Sequence, residues 1–270
     1  MNRKSLLYRA AAAPHVVWSV LFIAAPLLFV LYYALTDANG TFTFSNILAL
    51  TDYGKTFFLS VSLSLIATVI CILVGYPMAY FISRAKPTHQ RFLLTAAIVP
   101  MWINLLIRTF SMMAIMDDGG LINTLFHTNF HIVGTKGAVI FGMVYDFLPY
   151  MILPIYTVMS KLDKRLLEAA SDLGCNHFQV MTRVVLPLTR SGIISGITMV
   201  FVPSISTFYI SQKLGGGTFE LIGDTIERQF SNPTTYNVGA TISLVMMVLI
   251  LLSMAVMNRF ADGEEGGMVP

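Results

Sequence analysis

The chain has 270 residues, of which 56% are hydrophobic and 11% are charged, and its formal net charge is +3. Soluble domains carry about 25% charged residues, so the composition excludes an ordinary soluble protein and indicates a membrane protein. A net charge of +3 is accounted for by the loops described below, and nothing in it suggests nucleic-acid binding.

Six apolar runs are each long enough to cross a bilayer, which takes about 20 mostly apolar residues in a helix. They are predicted at 15–35, 59–83, 92–116, 137–160, 190–212 and 238–258. The first run is longer than the apolar part of a signal peptide, and Ala10–Ala13 lies before it rather than after it, so we expect it to remain as a helix. The sequence therefore predicts an all-α protein with six transmembrane helices, an N-terminal segment 1–14 and a tail 259–270.

Basic residues between the runs predict the orientation, because cytoplasmic loops are enriched in Lys and Arg. With the N-terminus inside, twelve basic residues are cytoplasmic: Arg3, Lys4, Arg9, Arg84, Lys86, Arg91, Lys161, Lys164, Arg165, Arg183, Arg190 and Arg259. Only four lie outside: Lys55, Lys136, Lys213 and Arg228. Both termini are therefore predicted to be cytoplasmic.

The stretch "ALTDYGKT" (49–56) is one residue short of the nucleotide-binding pattern G-x-x-x-x-G-K-[ST]. It falls in a predicted outside loop. Asp52 would repel a phosphate and Tyr53 would crowd it, whereas a phosphate cradle needs small residues. No strand ending in an aspartate is present to hold magnesium. We therefore expect this chain to bind no ATP.

Apart from Arg190 at the first position of the fifth run, two charged residues lie within the apolar runs. Asp146, in "VYDFLPY", should face the interior of the bundle, because a carboxylate at mid-membrane costs about 2.5–3.5 kcal/mol. Arg108 lies in the third run at a similar depth, about 12–14 Å at 1.5 Å per residue. An ion pair between the two would satisfy both charges.

The stretch 161–189, between the fourth and fifth runs, is longer than the other predicted cytoplasmic connections. Leu162, Leu166, Ala170 and Leu173 fall on one face of a predicted helix that begins at Asp163 and ends at Gly174. A second helix is predicted from about 176 to 185, with Phe178, Met181 and Val185 on one side, and Pro187 is expected to break it. The pair either covers the ends of the bundle or docks a soluble partner, and the small residues Ala169, Ala170 and Gly174 favour docking.

A motif in this stretch resembles the EAA loop of ABC importer permeases, E-A-A-x3-G-x9-I-x-L-P. Its elements here are Glu168-Ala169-Ala170, Gly174 and Leu186-Pro187, with Val184 in the isoleucine position. The stretches "VPMWINLLIRTF" (99–110), "YDFLPYMILPIY" (145–156) and "GGGTFELIGDTIERQF" (215–230) are similar to B-type permease subunits of spermidine/putrescine importers.

The resemblance implies a type I ABC importer permease (MetI-like) fold in the bacterial plasma membrane, with a cytoplasmic coupling loop that fits a cleft on an ATPase. In this sequence the matching coupling residues are Glu168, Ala169, Ala170, Asp172, Leu173, Gly174, Leu186 and Pro187. The resemblance also implies that the chain is not itself catalytic. Its implied partners are a similar but non-identical permease subunit, two ATP-binding subunits that hold ATP and Mg, and an external polyamine-binding protein.

A polyamine carries ammonium groups, which pair with carboxylates and with aromatic faces. The candidate pathway residues are Trp102, Asn104, Arg108, Tyr145, Asp146, Tyr150, Tyr209, Glu220 and Asp224. Asp146 either contacts cargo or pairs with Arg108, and a gate that opens as cargo displaces Arg108 would combine both. Tyr209 and Ser211, near the end of the fifth run, are candidates for lining the pathway in the same way as Trp102 and Asn104.

The other candidates also have alternatives. Trp102 and Asn104 either line the pathway or pack against a kink at Pro100. Glu220, Asp224 and Glu227 share one face if their segment is helical, and that face either attracts cargo or is simply solvated. Gly215–Gly217 is interpreted as a flexible lead-in to this segment.

Three other functions remain as alternatives. A permease for another small solute shares part of the pattern. A secondary transporter would need its own ion sites and often two related halves, and no internal repeat is apparent. A membrane enzyme would need a clustered nucleophile, base or metal set. His127 and His131 are four residues apart but have no third ligand in register, so we expect no metal.

Overall fold

The computed structural model describes residues 13–37 and 39–262, and nearly all of this range is helix or short connecting turns. Apart from an isolated antiparallel bridge between Thr36 and Phe42, these residues contain no β-structure. The predicted all-α class is therefore confirmed. Most of the N-terminal segment and the acidic pair Glu264-Glu265 of the tail lie outside the described residues.

The helices are labelled in chain order. They are α1 (Ala13–Ala34), α2 (Gly54–Arg84), α3 (Pro87–Trp102), α4 (Leu105–Met116), α5 (Leu121–Phe126), α6 (Lys136–Met159), α7 (Lys164–Asp172), α8 (His177–Leu188), α9 (Arg190–Ser206), α10 (Tyr209–Leu214), α11 (Ile222–Ser231) and α12 (Tyr236–Asp262). Short helical turns at Ser45–Leu48 and Ala49–Tyr53 lead directly into α2.

Four helical stretches of the described chain are long and apolar enough to cross a membrane: α1, Ser45–Arg84, α6 and Tyr236–Arg259. Two bent pairs also qualify if each is one span: α3 with Leu105–Phe126, bent by 92°, and α8 with α9, bent by 69°. The described residues thus hold four to six candidate spans. Around α1 apolar side chains such as Leu21 and Phe22 are exposed on all sides, as expected of a helix whose solvent is lipid.

The third predicted run, 92–116, is not one continuous helix. α3 ends at Trp102, Ile103 has extended backbone, and the side chain of Asn104 caps α4 by accepting a hydrogen bond from the Leu106 amide at 2.8 Å. Pro100 removes a helical hydrogen bond just before the break, and asparagine is a favoured N-cap residue. The continuous hydrophobicity of the run concealed this division.

The fifth predicted run, 190–212, is divided as well. α9 ends at Ser206, three residues after Pro203, and α10 begins at Tyr209. Gly223 lies against the break, where an added Cβ would collide with the Thr207 carbonyl oxygen. Glycine is therefore required here for the close approach of the two backbone segments.

The described chain divides into two compact units. The first comprises the residues up to Gly54 together with Thr225–Leu249. In it, the amide of Asn237 donates to the Thr36 carbonyl at 2.6 Å, and the Thr241 hydroxyl donates to the Ala34 carbonyl at 3.1 Å. These bonds satisfy carbonyls at the end of α1, which a helix terminus otherwise leaves without partners.

A short turn in the first unit follows α1. The hydroxyl and the amide of Thr41 donate to the Asp37 carboxylate, at 2.7 and 2.9 Å, and these hydrogen bonds lower the pKa of Asp37. The carboxylate is thereby favoured in its charged form, which accepts hydrogen bonds more strongly than the neutral acid.

The second unit, Lys55–Asp224 with Ile250 onward, is built around α6. One half of α6 packs its buried residues Met151, Ile152 and Ile155 against α2 and α9. The other half packs Val139 and Met143 against α2, α4 and α10. This arrangement places Asp146 of α6 next to α4.

Candidate functional site

Arg108 on α4 and Asp146 on α6 form an ion pair inside the second unit. Arg108 Nη2 lies 3.0 Å from Asp146 Oδ1, and the two side chains are only 8% and 1% exposed. Either charge alone would be costly at membrane depth, so each stabilises the other. The pairing hypothesis therefore describes the observed state, and a contact between Asp146 and cargo stays a prediction.

The pair leaves hydrogen-bonding capacity unused. The distance is that of an ion pair, but the N–H···O geometry is not that of a hydrogen bond, and no hydrogen bond from the described residues reaches either carboxylate oxygen of Asp146. The Arg108 guanidinium carbon lies 5.9 Å from the centre of the Tyr145 ring. Because buried polar groups are normally hydrogen-bonded, an ammonium group arriving here would find acceptors at Asp146.

A cavity of about 450 Å³ opens beside Arg108, between α4, α5 and α6. Its lining is mostly apolar and includes Arg108, Ser111 and Tyr145 as polar groups. Small-molecule sites have volumes of roughly 300–1,000 Å³ and combine an apolar wall with a few polar groups. The cavity is thus large enough for a small solute beside the ion pair.

The other aromatic candidates lie at the surface of the chain. Trp102 is 81% exposed at the end of α3, so the alternative in which it packs against the Pro100 kink within this chain is wrong. Asn104 is exposed and serves as the N-cap of α4. Tyr150 is partly exposed and its ring lies 6.3 Å from that of Phe147. A role of these residues in a pathway remains a prediction.

Lys213, which the sequence predicts only as a basic residue of an outside loop, lies against two aromatic rings. Its ammonium nitrogen lies 5.0 Å from the ring centre of Phe110 and 5.7 Å from that of Tyr209. The two rings meet edge to face, with centres 6.0 Å apart. A lysine four residues after a tyrosine was the only local signal, because Phe110 belongs to a different helix.

The segment with three predicted surface carboxylates is arranged differently from the prediction. Glu220 precedes α11 and is exposed, whereas Asp224 is buried in its first turn. The Asp224 carboxylate accepts hydrogen bonds from the Ser211 hydroxyl at 2.8 Å and the Leu221 amide at 2.7 Å. The prediction that Asp224 and Glu227 share one surface face is therefore wrong. Asp224 and Ser211 instead form a hydrogen bond inside the protein.

The predicted flexible lead-in, Gly215–Gly217, forms a hydrogen-bonded turn in the structure. Gly216 and Gly217 have positive φ values of 56° and 73°, which favour glycine. The Gly134 amide donates to the Leu214 carbonyl at 2.8 Å, and the Thr218 hydroxyl donates to the Gly134 carbonyl at 2.7 Å. These bonds hold the turn against the start of α6.

The loop helix α7 has two apolar sides. Leu167 and Ala170 pack inward onto the core of the second unit, whereas Leu166 and Leu173 are exposed, Leu173 by 86%. The predicted single face is therefore wrong, since the four residues of that face divide between the two sides. Glu168, Ala169 and Asp172 are exposed.

Gly174 ends α7 in a Schellman motif. Its φ is +84°, its amide donates to the Ser171 carbonyl at 2.9 Å, and the Cys175 amide donates to the Ala170 carbonyl at 3.1 Å. An added Cβ at Gly174 would meet nothing within 4 Å. The requirement for glycine within this chain is thus conformational, and the space beside it is open.

The second loop helix, α8, starts with a capping box between Asn176 and Gln179. Phe178 is exposed while Val185 is fully buried, so the predicted shared side is wrong. Pro187 lies in the last turn of α8, after a π-helical stretch at Met181–Val185. The helix ends at Leu188, before the 69° bend into α9, so the predicted break before the fifth run is present but lies just after Pro187. Leu186 is exposed and Pro187 is partly buried.

Two motifs with other possible chemistry take ordinary roles. Ala49–Tyr53 forms a 3-10 turn and Gly54 begins α2, so this stretch does not form a phosphate-binding loop. His131 pairs with Asp118 at 2.8 Å. No group of three His, Cys, Asp or Glu side chains in the described range is placed to hold a metal ion.

Residues 71–263 match the family described as binding-protein-dependent transport system inner membrane component. The chain is 37% identical over 256 residues to the spermidine/putrescine transport system permease protein PotB of Haemophilus influenzae, covering 90% of each chain. It is 36% identical to the PotB protein of Escherichia coli, covering 90% of this chain and 93% of the relative.

Solved structures show the same fold at low sequence identity. A bacterial ABC transporter involved in the import of the acidic polysaccharide alginate aligns with a TM-score of 0.77 and 16% identity, covering 96% of both chains. An inward-facing MetNI methionine ABC transporter aligns with a TM-score of 0.59 and 15% identity over 77% of this chain and 94% of that one. At this identity the similarity shows the fold alone, which is that of ABC importer permeases.

Proposed function

Because the chain belongs to the family of binding-protein-dependent transport system inner membrane components, we propose that it is a permease subunit of an ATP-driven importer of spermidine or putrescine. The similarity to PotB proteins, at 35–37% identity over 90% or more of the chain, supports this cargo. The chain would form part of the pathway and leave ATP hydrolysis to another subunit.

The observation that carries the coupling role is the outward apolar side of α7. Leu166, Ala169 and Leu173 are exposed at a spacing of three and four residues, beside the open space at Gly174. An amphipathic helix that offers such a side to a hydrophobic groove is a recurrent mode of protein recognition. We propose that this side enters a cleft on the ATPase, and that Glu168 and Asp172 border the contact.

The inward side of α7 allows movement of the ATPase to reach the pathway. Ala170 packs in the same core cluster as Met151 and Ile155 of α6, and α6 carries Asp146. A displacement of α7 would therefore act directly on the helix that carries the ion pair. Nucleotide binding can shift the permease between states only through different affinity for each, and about 5.5 kcal/mol takes the ratio from 1:99 to 99:1.

The partners follow from the family and remain proposals. We propose a second, similar permease subunit, two ATP-binding subunits with ATP and Mg, and an external polyamine-binding protein. One solved structure with this fold is an alginate ABC transporter in complex with its pentasaccharide-bound periplasmic protein, which supports the last of these. Cytoplasmic placement of both termini is proposed from the distribution of basic residues.

The ion pair provides a gate for a cationic cargo. A polyamine ammonium group that reaches Asp146 would replace Arg108 as its partner, because no hydrogen bond from the described residues holds the carboxylate oxygens. The cost of separating Arg108 from Asp146 would be offset by the new contact, and by the Tyr145 ring 5.9 Å from the guanidinium carbon. A neutral solute could not make this exchange.

The test is uptake of radiolabelled spermidine into cells that lack their own polyamine importers and carry this chain with its partner subunits. We expect saturable uptake that putrescine competes for and that a neutral sugar does not. Saturable uptake of another solute class, with none of spermidine or putrescine, would reject the cargo but keep the permease. Uptake that persists without the ATPase would favour an ATP-independent transporter.

A further inference from the structure

Lys213 occupies an aromatic site that the proposed gate does not use. Its ammonium nitrogen lies 5.0 Å from the Phe110 ring centre and 5.7 Å from the Tyr209 ring centre, within the range of cation–π attraction. Within the described part of the chain, no carboxylate lies at ion-pair distance from this ammonium. The rings are thus the cation-binding partners of Lys213.

The group that occupies this site has the same chemistry as the proposed cargo. A lysine side chain is four methylene groups ending in an ammonium, which is also the structure of an aminobutyl arm of putrescine or spermidine. A site that accommodates the end of the Lys213 side chain therefore matches the end of such a polyamine in charge, in length and in apolar surface.

The position of the site is also consistent with a water-accessible path. Phe110 lies on α4, which begins after the break at Ile103, and Tyr209 is the first residue of α10, after the break at Thr207. Non-helical backbone at membrane depth is tolerated where it is buried in protein or lines a water-filled cavity. Exposed Asn104 and Phe208 at the two breaks favour the second condition.

We propose that Phe110 and Tyr209 form a binding site for a cargo ammonium group, and that Lys213 is a tethered competitor for it. The inference rests on the proposed polyamine cargo. Lys213 leaves when cargo enters and returns when cargo moves on, so cargo binds weakly enough to be released. Lys213 acts as a specificity-determining residue because only a cation competes with it on equal chemical terms.

The experiment measures the KM and the maximal rate of spermidine uptake, with the full importer in cells, for Lys213→Met and Phe110→Leu and for the double variant. Methionine keeps an apolar side chain of similar length and removes the charge. We expect Lys213→Met to lower KM by about threefold to tenfold, the size of one cation–π contact. Phe110→Leu should raise KM, and its effect should be larger in the Lys213→Met background, where the site is free.

A lysine that only anchors the end of α10 gives a different result. Replacement of such a lysine would leave KM unchanged or raise it. Alternatively, Phe110→Leu would have the same effect on KM with and without Lys213. Either result would overturn the proposal that Lys213 competes with cargo. Tyr209→Leu removes the second ring of the proposed site and should also raise KM. Absence of spermidine uptake by the wild type would instead reject the proposed function, and this inference with it.

Discussion

Gly174 has a conformational requirement within this chain and a proposed role in coupling to the ATPase. Its φ of +84° is unfavourable for most residues, whereas asparagine tolerates it and valine does not. Since an added Cβ would meet nothing within 4 Å, only backbone strain of roughly 1–3 kcal/mol separates the variants in the free chain. We predict that Gly174→Asn retains most spermidine uptake and that Gly174→Val loses it, at matched membrane levels.

The contrary outcome for Gly174 is informative. Equal loss of uptake in the asparagine and valine variants would mean that conformation is not the requirement, and that the ATPase approaches the backbone too closely for any side chain.

Variants of Asp146 and Arg108 can distinguish an effect on stability from an effect on transport. Asp146→Asn leaves Arg108 buried without its counter-charge, and breaking a buried pair typically costs about 3–5 kcal/mol. We predict a marked fall in the thermal stability of the detergent-purified complex, which the double variant Arg108→Gln/Asp146→Asn largely restores. Uptake should stay low in both variants, and normal uptake kinetics in the double variant would remove Asp146 from the pathway.

Residue patterns predicted some of these contacts and could not predict others. Asp146 and Arg108 were found because lone charges in apolar runs require partners. The pairing of Asp224 with Ser211, and of Lys213 with Phe110, depends on how separate helices pack, and spacing along one helix carries no information about that.

Among the helical elements, α7 presents a testable division between two apolar sides. Leu173 is 86% exposed, whereas Leu167 packs into the core. We predict that Leu173→Asp keeps a normal membrane level but lowers both ATPase co-purification and uptake by at least tenfold. Leu167→Asp should instead lower the membrane level itself, because it places a charge in the core.

One result with the Leu173→Asp variant would contradict this prediction for α7. Normal co-purification of the ATPase with Leu173→Asp, at normal uptake, would show that the exposed side of α7 is not the docking surface.

The packing of α6 against α9 depends on two glycines one helical turn apart. An added Cβ at Gly192 would come within 2.9 Å of the Pro154 carbonyl oxygen and 3.1 Å of the Ile155 Cα, which are backbone atoms that cannot rotate away. An added Cβ at Gly196 would come within 2.6 Å of the Met151 side-chain sulfur and 3.3 Å of the Met151 carbonyl oxygen. Small residues at this spacing allow close helix packing in membranes.

We predict that Gly192→Ala destabilises the complex by about 1–3 kcal/mol, the usual cost of overpacking, as measured by thermal unfolding in detergent. Gly119→Ala is the control, because an added Cβ there meets nothing within 4 Å. Equal stability of the two variants would contradict the close approach of α6 and α9.

Helix positions were largely predictable and helix continuity was not. The apolar runs locate α1, α6 and α12 to within a few residues, because a lipid-facing helix must be apolar over its length. The breaks at Ile103 and Thr207 escaped prediction, since Pro100 and Pro203 are equally compatible with a kinked but continuous span. Only the packing of neighbouring segments decides between a kink and a break. At the second break, the close approach of Gly223 to Thr207 is such a packing contact.

For the whole molecule, composition and one loop motif were sufficient to predict the class. A charged fraction of 11% indicates a membrane protein, and the EAA-like stretch indicates an ABC permease. The proposed partners were implied only by the resemblance, because the surfaces proposed to meet them consist of ordinary exposed residues.

The central claim is that this chain couples polyamine passage to ATP hydrolysis through α7. The most direct measurement is ATP-dependent uptake of radiolabelled spermidine into proteoliposomes that contain the full importer with its binding protein, comparing the wild type with Leu173→Asp. We predict that the wild type accumulates spermidine only with ATP and that the variant does not, although its permease subunits are present in equal amounts. ATP-independent uptake, or equal ATP-driven uptake by both, would contradict the account.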